Sequence, residues 1–136
     1  MIEFKTVKDI SAHDLNSLFE SIGWGSRVKE KWKGVLAASS FVVSAWDGDL
    51  LVGMGRILED GVMCMFYDIG VRPNYQNQKI GRKLMDLLIE QVKDKSYVSI
   101  GLFVWEENKD ASEFYEKFGF EKVETGMELV KYMERE

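Results

Sequence analysis

Amide and cationic side chains crowd into residues 76–82, just ahead of an apolar helical repeat. Lys79 and Arg82 fall where the first turn of that helix is expected, and acidic residues usually occupy this turn because the helix dipole is positive there. Cations are favourable at this end if an external anion supplies the negative charge, and the unpaired N–H groups of a first turn bind phosphate well. The pattern therefore predicts a phosphate site, with a solvated helix start as the open alternative.

The common glycine-rich signatures of nucleotide-binding proteins are absent. The chain contains neither the phosphate-loop pattern that ends in Gly-Lys-Ser or Gly-Lys-Thr nor the three-glycine pattern of dinucleotide-binding folds. An ATPase and a Rossmann dehydrogenase are therefore unsupported.

Length and charge limit the classes of protein further. The 136 residues, 46% of them apolar, predict a single domain spanning residues 1–136 with its own core. The net charge of −5 argues against nucleic acid as a partner, because phosphate contacts need a basic surface. An acidic balance suits a cationic small molecule, although solubility alone would explain it.

Cysteine and hydropathy bear on location. The only cysteine, Cys64, cannot form an internal disulfide, which predicts an intracellular chain. No apolar run has the length of a signal-peptide core or a membrane span. We therefore expect a cytoplasmic protein with no membrane partner. With His13 as the only histidine, we expect neither a metal site nor a cysteine nucleophile.

Hydrophobic periodicity predicts the elements that position the stretch. Four helices are expected. Three of them cover residues 11–22, 80–93 and 111–118, and another begins after an N-cap at Ser26. At the start of the last helix, Asp110 and Glu113 have capping-box spacing. Strands are expected at 2–8, 41–46, 50–58, 62–71, 97–105 and 127–133. Residues 97–105 are apolar on both faces, as in a covered strand.

Turn signals order these elements. Asp47-Gly48-Asp49 and Asp60-Gly61 predict two antiparallel hairpins, and the strand, helix and strand from 62 to 105 predict a parallel crossover. The fold class is therefore α/β: a mixed sheet with helices on both faces and central strands splayed around the parallel unit.

Two segments resemble the motifs of the GNAT superfamily of N-acetyltransferases. In the family, the acyl-CoA-binding motif is Gln or Arg, any two residues, Gly, any one residue, and then Gly or Ala. The corresponding segment here is Gln76-Asn77-Gln78-Lys79-Ile80-Gly81, which follows Val71-Arg72-Pro73. The second motif stands as Asn108, Ala111 and Phe114-Tyr115-Glu116-Lys117-Phe118-Gly119-Phe120. Their order and separation are specific, and the resemblance covers about residues 41–120.

The resemblance implies transfer of an acetyl group from acetyl-CoA to a primary amine by direct attack in a ternary complex. A non-catalytic acyl-CoA sensor is the rival. The implied cofactor-binding residues are Ile69, Gly70, Val71, Gln76, Asn77, Gln78, Lys79, Ile80, Gly81, Arg82 and Asn108.

Lys79 departs from the family pattern because it replaces the first glycine. A left-handed lysine would cost roughly 1–2 kcal/mol. We therefore expect Lys79 to be helical, with its side chain turned outward or onto a CoA phosphate.

The strand before the motif offers an edge for the cofactor. Gly70 inside a strand predicts a bulge or a close backbone approach, with a simple kink as the alternative. Pantetheine can pair with a strand edge, and the N–H groups of residues 69–71 could bind its amide or polarise the thioester carbonyl.

Two residues are expected to be catalytic. In the family, the tyrosine at the position of Tyr115 lies near the CoA sulfur, which implies a general acid; a packing tyrosine is the alternative. Asp68 is the one charged residue between 63 and 71, so burial should raise its pKa and make it a base. The alternative is that Asp68 pairs with an N–H group or an arginine and only shapes the bulge. For Asn108, the alternative is an ordinary loop residue.

The acceptor amine stays open at this level. Trp24 and Tyr67, with Phe66, could form an aromatic wall, and an acidic side chain could attract a cation. The acidic candidates are Glu20, Glu59 and Asp60. Small aralkylamines, polyamines, aminoglycosides and protein N-termini all fit, and a homodimer is compatible with the sequence.

Overall fold

A five-stranded mixed sheet organises the first part of the chain. In the computed structural model, which describes residues 1–105, 108–123 and 126–134, the chain divides into two units, Met1–Phe103 and Val104–Glu136. The strands lie side by side in chain order: β1 (Ile2–Lys5), β2 (Phe41–Asp47), β3 (Leu50–Glu59), β4 (Met63–Val71) and β5 (Ser99–Gly101). Neighbours are antiparallel except β4 and β5, which are parallel. The predicted α/β class is confirmed.

Both predicted hairpins are present. Gly48 (φ +61°) and Gly61 (φ +91°) take the left-handed conformation that their turns require. Asp60 fixes the second turn because its carboxylate accepts hydrogen bonds from the N–H groups of Val62 and Met63. These backbone bonds hold the pKa of Asp60 below its usual value.

Helices cover the two faces of the sheet. The helices of the first unit are α1 (Ala12–Ile22), α2 (Lys29–Ala38) and α3 (Ile80–Val92). On one face, Leu15 and Phe19 of α1 and Trp32 of α2 form a buried cluster with Met54 of β3. On the other face, Leu84 and Leu88 of α3 lie over the glycines of β3. Apolar stripes at helical spacing produce this arrangement.

The ends of α1 and α2 differ in how well the sequence predicts them. Ser11 caps α1 by accepting from the N–H of Asp14, and Gly23 ends it in a left-handed conformation, as expected. The prediction of Ser26 as the N-cap of α2 is wrong, since Val28 holds that position without a side-chain cap. Asn16 bonds both the N–H and the carbonyl of Arg27, which keeps the chain from turning helical at Ser26.

The predicted strand at 97–105 is correct in direction but not in length or burial. Only residues 99–101 pair with β4, and the side chains of Val98 and Phe103 are largely exposed. A strand face is buried only where another layer covers it, and within the first unit β5 packs mainly beside β4.

The described residues of the second unit contain one α-helix, α4 (Lys109–Glu116), and a 3-10 helix at Val130–Tyr132. Asn108 caps α4 by accepting from the N–H of Ala111, so the expected cap at Asp110 is wrong by two residues. The predicted strand at 127–133 is also wrong. The described residues of this unit contain no strand with which it could pair, and an isolated strand is not stable. None of the helices in the described ranges is long and apolar enough to cross a membrane.

Candidate active site

The segment between β4 and α3 is held by hydrogen bonds that its side chains donate within the segment, to the end of β4 and to β2. Pro73–Tyr75 form a 3-10 turn, and the Tyr75 hydroxyl donates to the Asp47 carboxylate. The side-chain amide of Gln76 donates to the Val71 carbonyl at 3.0 Å, and that of Gln78 donates to the Asn74 carbonyl at 3.3 Å. The predicted phosphate loop is therefore an ordered connection with an exposed surface.

The first turn of α3 is free to accept an anion. Lys79 is its N-cap, makes no side-chain capping bond, and no acidic residue follows in the first turn. The N–H groups of Ile80, Gly81 and Arg82 consequently have no acceptor within the helix. Lys79 and Arg82 are exposed beside them. This arrangement fits the pyrophosphate of CoA.

The expectation that Lys79 is helical is wrong. Lys79 has φ +66° and ψ +13°, and Asn77 also has a positive φ, +65°. The chain thus keeps the left-handed bend that glycine permits in the family pattern, and lysine holds it at a steric cost of roughly 1–2 kcal/mol. Asparagine tolerates this region better than other non-glycine residues.

Arg72 anchors the same segment to the body of the first unit. Its Nε donates to the Leu51 carbonyl at 2.7 Å and its Nη2 to the Ser17 hydroxyl at 2.8 Å. Sequence reasoning gave Arg72 no role beyond its place in the motif. Its contacts join α1, β3 and the start of the loop.

The edge of β4 opens beside this loop. β5 pairs with residues 63–65 of β4 and ends, while β4 continues to Val71. The N–H of Arg72 donates to the Val52 carbonyl of β3 at 2.8 Å. Because successive residues of a strand direct their N–H groups to opposite sides, the N–H of Val71 points away from β3. The first unit therefore offers an unpaired strand edge at the predicted pantetheine position.

β4 contains the predicted bulge. Met54 of β3 pairs with Gly70 and Arg56 with Tyr67, so two residues of β4, Asp68 and Ile69, oppose one residue of β3. Asp68 has a positive φ of 55° at this point. The extra residue bends the strand, and the Asp68 side chain reaches Arg27 in the connection between α1 and α2.

Gly70 is closely packed, but by side chains and not by the backbone approach that the sequence predicts. A Cβ atom at this position would lie 2.7 Å from both the Ile22 side chain and the ring of Trp24. The end of α1 thus lies against β4 immediately after the bulge. Trp24, a predicted substrate residue, remains 44% exposed there and packs edge-on against Phe19.

Asp68 is held by two arginines. Arg27 donates to both carboxylate oxygens at 3.1 and 3.3 Å, and Arg56 donates through Nε at 2.8 Å. Burial alone would raise the pKa of Asp68, but these bonds and charges outweigh it and hold the pKa below its usual value. The expected raised pKa is wrong. A carboxylate stabilised in this way is a poor proton acceptor, which favours the alternative that Asp68 pairs with arginine and shapes the bulge.

The network extends to residues that sequence reasoning missed. Asn16 accepts from the indole N–H of Trp32 at 2.7 Å and from the Arg27 N–H at 2.8 Å. The Arg27 guanidinium packs over the rings of Phe19 and Trp32. One signal was available: Arg56 is the sole charge within residues 50–58, and Asp68 the sole charge within 63–71.

The remaining acceptor candidates are separated by the fold. The guanidinium carbon of Arg56 lies 5.0 Å from the ring centre of Tyr67, the residue before Asp68. Glu59, at the end of β3, pairs with Cys64, and Asp60 lies in the turn that follows, so Glu59 is about 13 Å from Asp68 along the strand at the usual rise per residue. Glu59 accepts a hydrogen bond from the Tyr97 hydroxyl there. The role of an acidic side chain in attracting a substrate cation stays a prediction, and these contacts do not favour Glu59 or Asp60 for it.

Tyr115 and Asn108 lie in the second unit. Tyr115 is half-buried, packs edge-on against Phe114 and Phe120, and burial raises its pKa to about 12. Phe114 also packs against Phe118, with ring centres 5.2 Å apart, and neither residue is fully buried. Asn108 uses its carbonyl oxygen as a helix cap.

Cys64 is fully buried, and burial raises the pKa of its thiol. These properties describe a core residue, as the sequence predicted. Among the described residues, no group of three or more histidine, cysteine or acidic side chains is placed to hold a metal ion.

Comparisons with known proteins agree with this geometry. The profile of the acetyltransferase (GNAT) family matches residues 10–120. The uncharacterized N-acetyltransferase ycf52 of Pyropia yezoensis is 31% identical over 93% of this chain and 76% of its own length.

Two solved structures share the fold and 28% of their residues with this chain. A probable acetyltransferase of meticillin-resistant Staphylococcus aureus has a TM-score of 0.86 over 97% of this chain and 100% of its own. A GNAT-family acetyltransferase of Streptococcus pneumoniae TIGR4 has a TM-score of 0.81 over 98% and 100%. The chain belongs to the acetyltransferase (GNAT) family and is an acyl-CoA-dependent N-acetyltransferase.

Proposed function

We propose that the protein transfers an acetyl group from acetyl-CoA to a primary amine by direct attack in a ternary complex. One observation carries the proposal: the uncapped, cation-flanked first turn of α3 closely follows β4, whose outer edge has no partner strand among the described residues beyond Met65. A diphosphate and an extended, amide-rich arm are the two ligand chemistries that such a pair of features would bind.

The first unit supplies binding and polarisation. In the proposal, the N–H groups of Ile80, Gly81 and Arg82 bind the pyrophosphate, and Lys79 adds positive charge. Pantetheine pairs with the edge of β4, and the N–H groups of residues 69–71 that point away from β3, that of Val71 in particular, stabilise the oxygen that becomes negative when the thioester carbonyl is attacked. Asn77, Gln78 and Asn108 complete the proposed cofactor contacts.

The chemical step forms an N–C bond and breaks the C–S bond. The amine lone pair attacks the carbonyl carbon, the tetrahedral intermediate expels the CoA thiolate, and Tyr115 is the proposed donor of a proton to sulfur. A thiol has a pKa of about 8.5, so transfer from a tyrosine is uphill and hydrogen bonding to the thiolate is its main contribution. Because Asp68 has a lowered pKa, the amine proton leaves to water rather than to this carboxylate.

Partners and location follow the same proposal. The acceptor is a small-molecule or peptide amine, with Trp24 and Tyr67 beside it. A cytoplasmic location and a homodimer stay predictions from the sequence.

Ligand binding and turnover are tested separately. At one hundred times its Kd, acetyl-CoA should stabilise the fold by about 2.7 kcal/mol, which a melting curve resolves. Added salt should weaken this shift because exposed charge–phosphate contacts are screened. Arg82→Gln should reduce the shift, whereas Lys33→Gln, an exposed change on α2, should not.

An amine panel scored for free thiol then separates the enzyme from the rival sensor. Amine-dependent thiol release supports transfer. Binding without release for every amine would favour the sensor, and the absence of any shift with acetyl-CoA or CoA at millimolar concentration contradicts both.

A further inference from the structure

Two guanidinium groups share one carboxylate beside the bulge of β4. Arg27 and Arg56 both bond to Asp68, and no other carboxylate of the described residues is recorded within ion-pair distance of either. Two positive charges and one negative charge leave an excess of +1. Charge removed from water is destabilising unless it is paired, so this cluster has an unmet preference for one more anion.

Arg27 is the member that a ligand could reach. Its side chain is 34% exposed, whereas those of Arg56 and Asp68 are 11% and 13% exposed. A guanidinium has five N–H donors in a planar fork, and Asp68 takes two of those of Arg27. No described residue accepts a hydrogen bond from its other donors, so an edge of this partly exposed group is open to a ligand, and a carboxylate matches its geometry.

The position of this charge matters because it borders the proposed reaction site. Asp68 directly precedes residues 69–71, whose N–H groups are the proposed partners of the thioester. One residue of strand covers about 3.3 Å, so an acceptor attacking there lies within a few bonds of the Arg27 fork. Trp24, packed on Gly70, forms the apolar side of the same region.

Two of the acidic residues expected to attract a cation, Glu59 and Asp60, do not compete with this assignment. Glu59 bonds to Tyr97 and Asp60 caps the turn between β3 and β4, both at the far end of the strand. The charge closest to the bulge is cationic in excess.

We propose that the acceptor is a small amine that also carries a carboxylate, which binds the solvent-facing edge of Arg27. The inference rests on the proposed acetyl transfer and names its substrate class. It disfavours polyamines, whose second ammonium would meet a like charge.

The test compares acceptors that differ in one charge. Glycine, β-alanine and 4-aminobutyrate are each paired with their primary amides, and 1,4-diaminobutane serves as the cationic comparison. A carboxylate raises the pKa of a nearby amine and lowers its neutral fraction, so this bias works against the proposal. For the acid whose spacing between amine and carboxylate suits the site best, kcat/KM should exceed that of its amide by about 10- to 100-fold, the range expected for a hydrogen-bonded charge.

Arg27→Gln provides the decisive variant. It leaves Asp68 paired with Arg56, so no buried carboxylate is orphaned and folding should survive. The ratio of acid to amide should fall to about 1, while Lys29→Gln, an exposed neighbour on α2, should leave the ratio unchanged. Preference for the amides or the diamine at every spacing, or a ratio that Arg27→Gln does not alter, would overturn the inference.

A binding measurement keeps the inference testable without turnover. With saturating CoA, the N-acetylated acids should raise the melting temperature more than the N-acetylated amides, and Arg27→Gln should abolish the difference. If no amine releases thiol, the proposed transfer fails, yet the acids should still show this difference. Equal shifts for acids and amides overturn the assignment to Arg27.

Discussion

At the scale of single residues, Lys79 shows how a family pattern can persist without its glycine. The chain keeps φ +66° at this position and begins α3 at the next residue. A left-handed lysine is strained by roughly 1–2 kcal/mol because its Cβ crowds the backbone. Strain of this kind is usually found at ligand sites, where the surrounding structure fixes the conformation.

Lys79→Gly should therefore stabilise the ligand-free protein. Relief of roughly 1–2 kcal/mol is partly offset by the greater freedom of glycine in the unfolded chain, about 0.5–1 kcal/mol, which leaves a net gain of up to about 1.5 kcal/mol. Lys83→Gly, an exposed position inside α3, is the matched control and should lose about 1 kcal/mol. Denaturant unfolding measures both. Equal losses in the two variants would mean that Lys79 is not strained.

Tyr115 is the second residue with a specific expectation. Tyr115→Phe should keep the acetyl-CoA melting shift and lower kcat by about 10²- to 10⁴-fold if the hydroxyl donates a proton. Because the pKa of Tyr115 is about 12, the hydroxyl stays protonated over the working range. Any loss of activity between pH 8 and 10 should then be the same in both proteins. Unchanged turnover would reduce Tyr115 to a packing role.

At the scale of elements, the end of α1 and the bulge of β4 define one another. Gly70 permits Ile22 and Trp24 to approach to a distance that any side chain would block. Arg27, five residues after the helix, then bonds to Asp68 in the bulge of β4. The loop between α1 and α2 is thus fixed by a contact at each end.

Gly70→Ala should disturb this junction. Because the Trp24 ring has to move away from the new methyl group, we expect a loss of about 1–3 kcal/mol and a higher KM for the amine. Gly34→Ala is the control, since nothing lies within 4 Å of a Cβ there and alanine favours the helix by about 1 kcal/mol. Urea melts and initial rates measure the two effects. Similar stability changes at both positions would contradict the close packing.

The elements differ in how far the sequence predicts them, and the reason is the range of the interactions. The helices α1 and α3 and the two hairpins follow from local spacing, with Gly23, Gly48 and Gly61 in the predicted turns. The pairing of Asp68 with Arg27 and Arg56 joins residues 41 and 12 positions apart and depends on the register of a bulged strand. The apolar content of residues 97–105 predicts a buried strand. It does not show whether a helix or another layer covers either face of that strand.

At the scale of the whole molecule, net charge and local charge have opposite signs. The chain carries −5, yet the cluster around Asp68 and the first turn of α3 are both cationic in excess. The global value reflects a surface that favours solubility and says little about the ligand. The total charge would suggest a cationic substrate, whereas the excess positive charge of Arg27 and Arg56 around Asp68 supports the proposed carboxylate on the acceptor amine.

The same cluster gives the molecule a specific acid sensitivity. The pKa of Asp68 in the folded protein is depressed below the unfolded value of about 3.9. Its contribution to stability is therefore complete above the unfolded pKa and is lost as the pH falls through the folded pKa. Acid unfolding should steepen below about pH 4.

Asp68→Asn isolates this contribution. At pH 7 the variant should lose roughly 3–5 kcal/mol, because two arginines keep their charges without a carboxylate between them. The difference from the parent protein should shrink below about pH 4, where the parent carboxyl group also takes up a proton. Asp86→Asn, an exposed change on α3 in no ion pair among the described residues, should stay within about 0.5 kcal/mol throughout. Denaturant unfolding from pH 3 to 7 measures the three proteins. A difference that does not vary with pH would assign the loss to shape rather than charge. If kcat/KM of the variant also kept its acid limb, Asp68 would be removed from the list of candidate bases on kinetic as well as structural grounds.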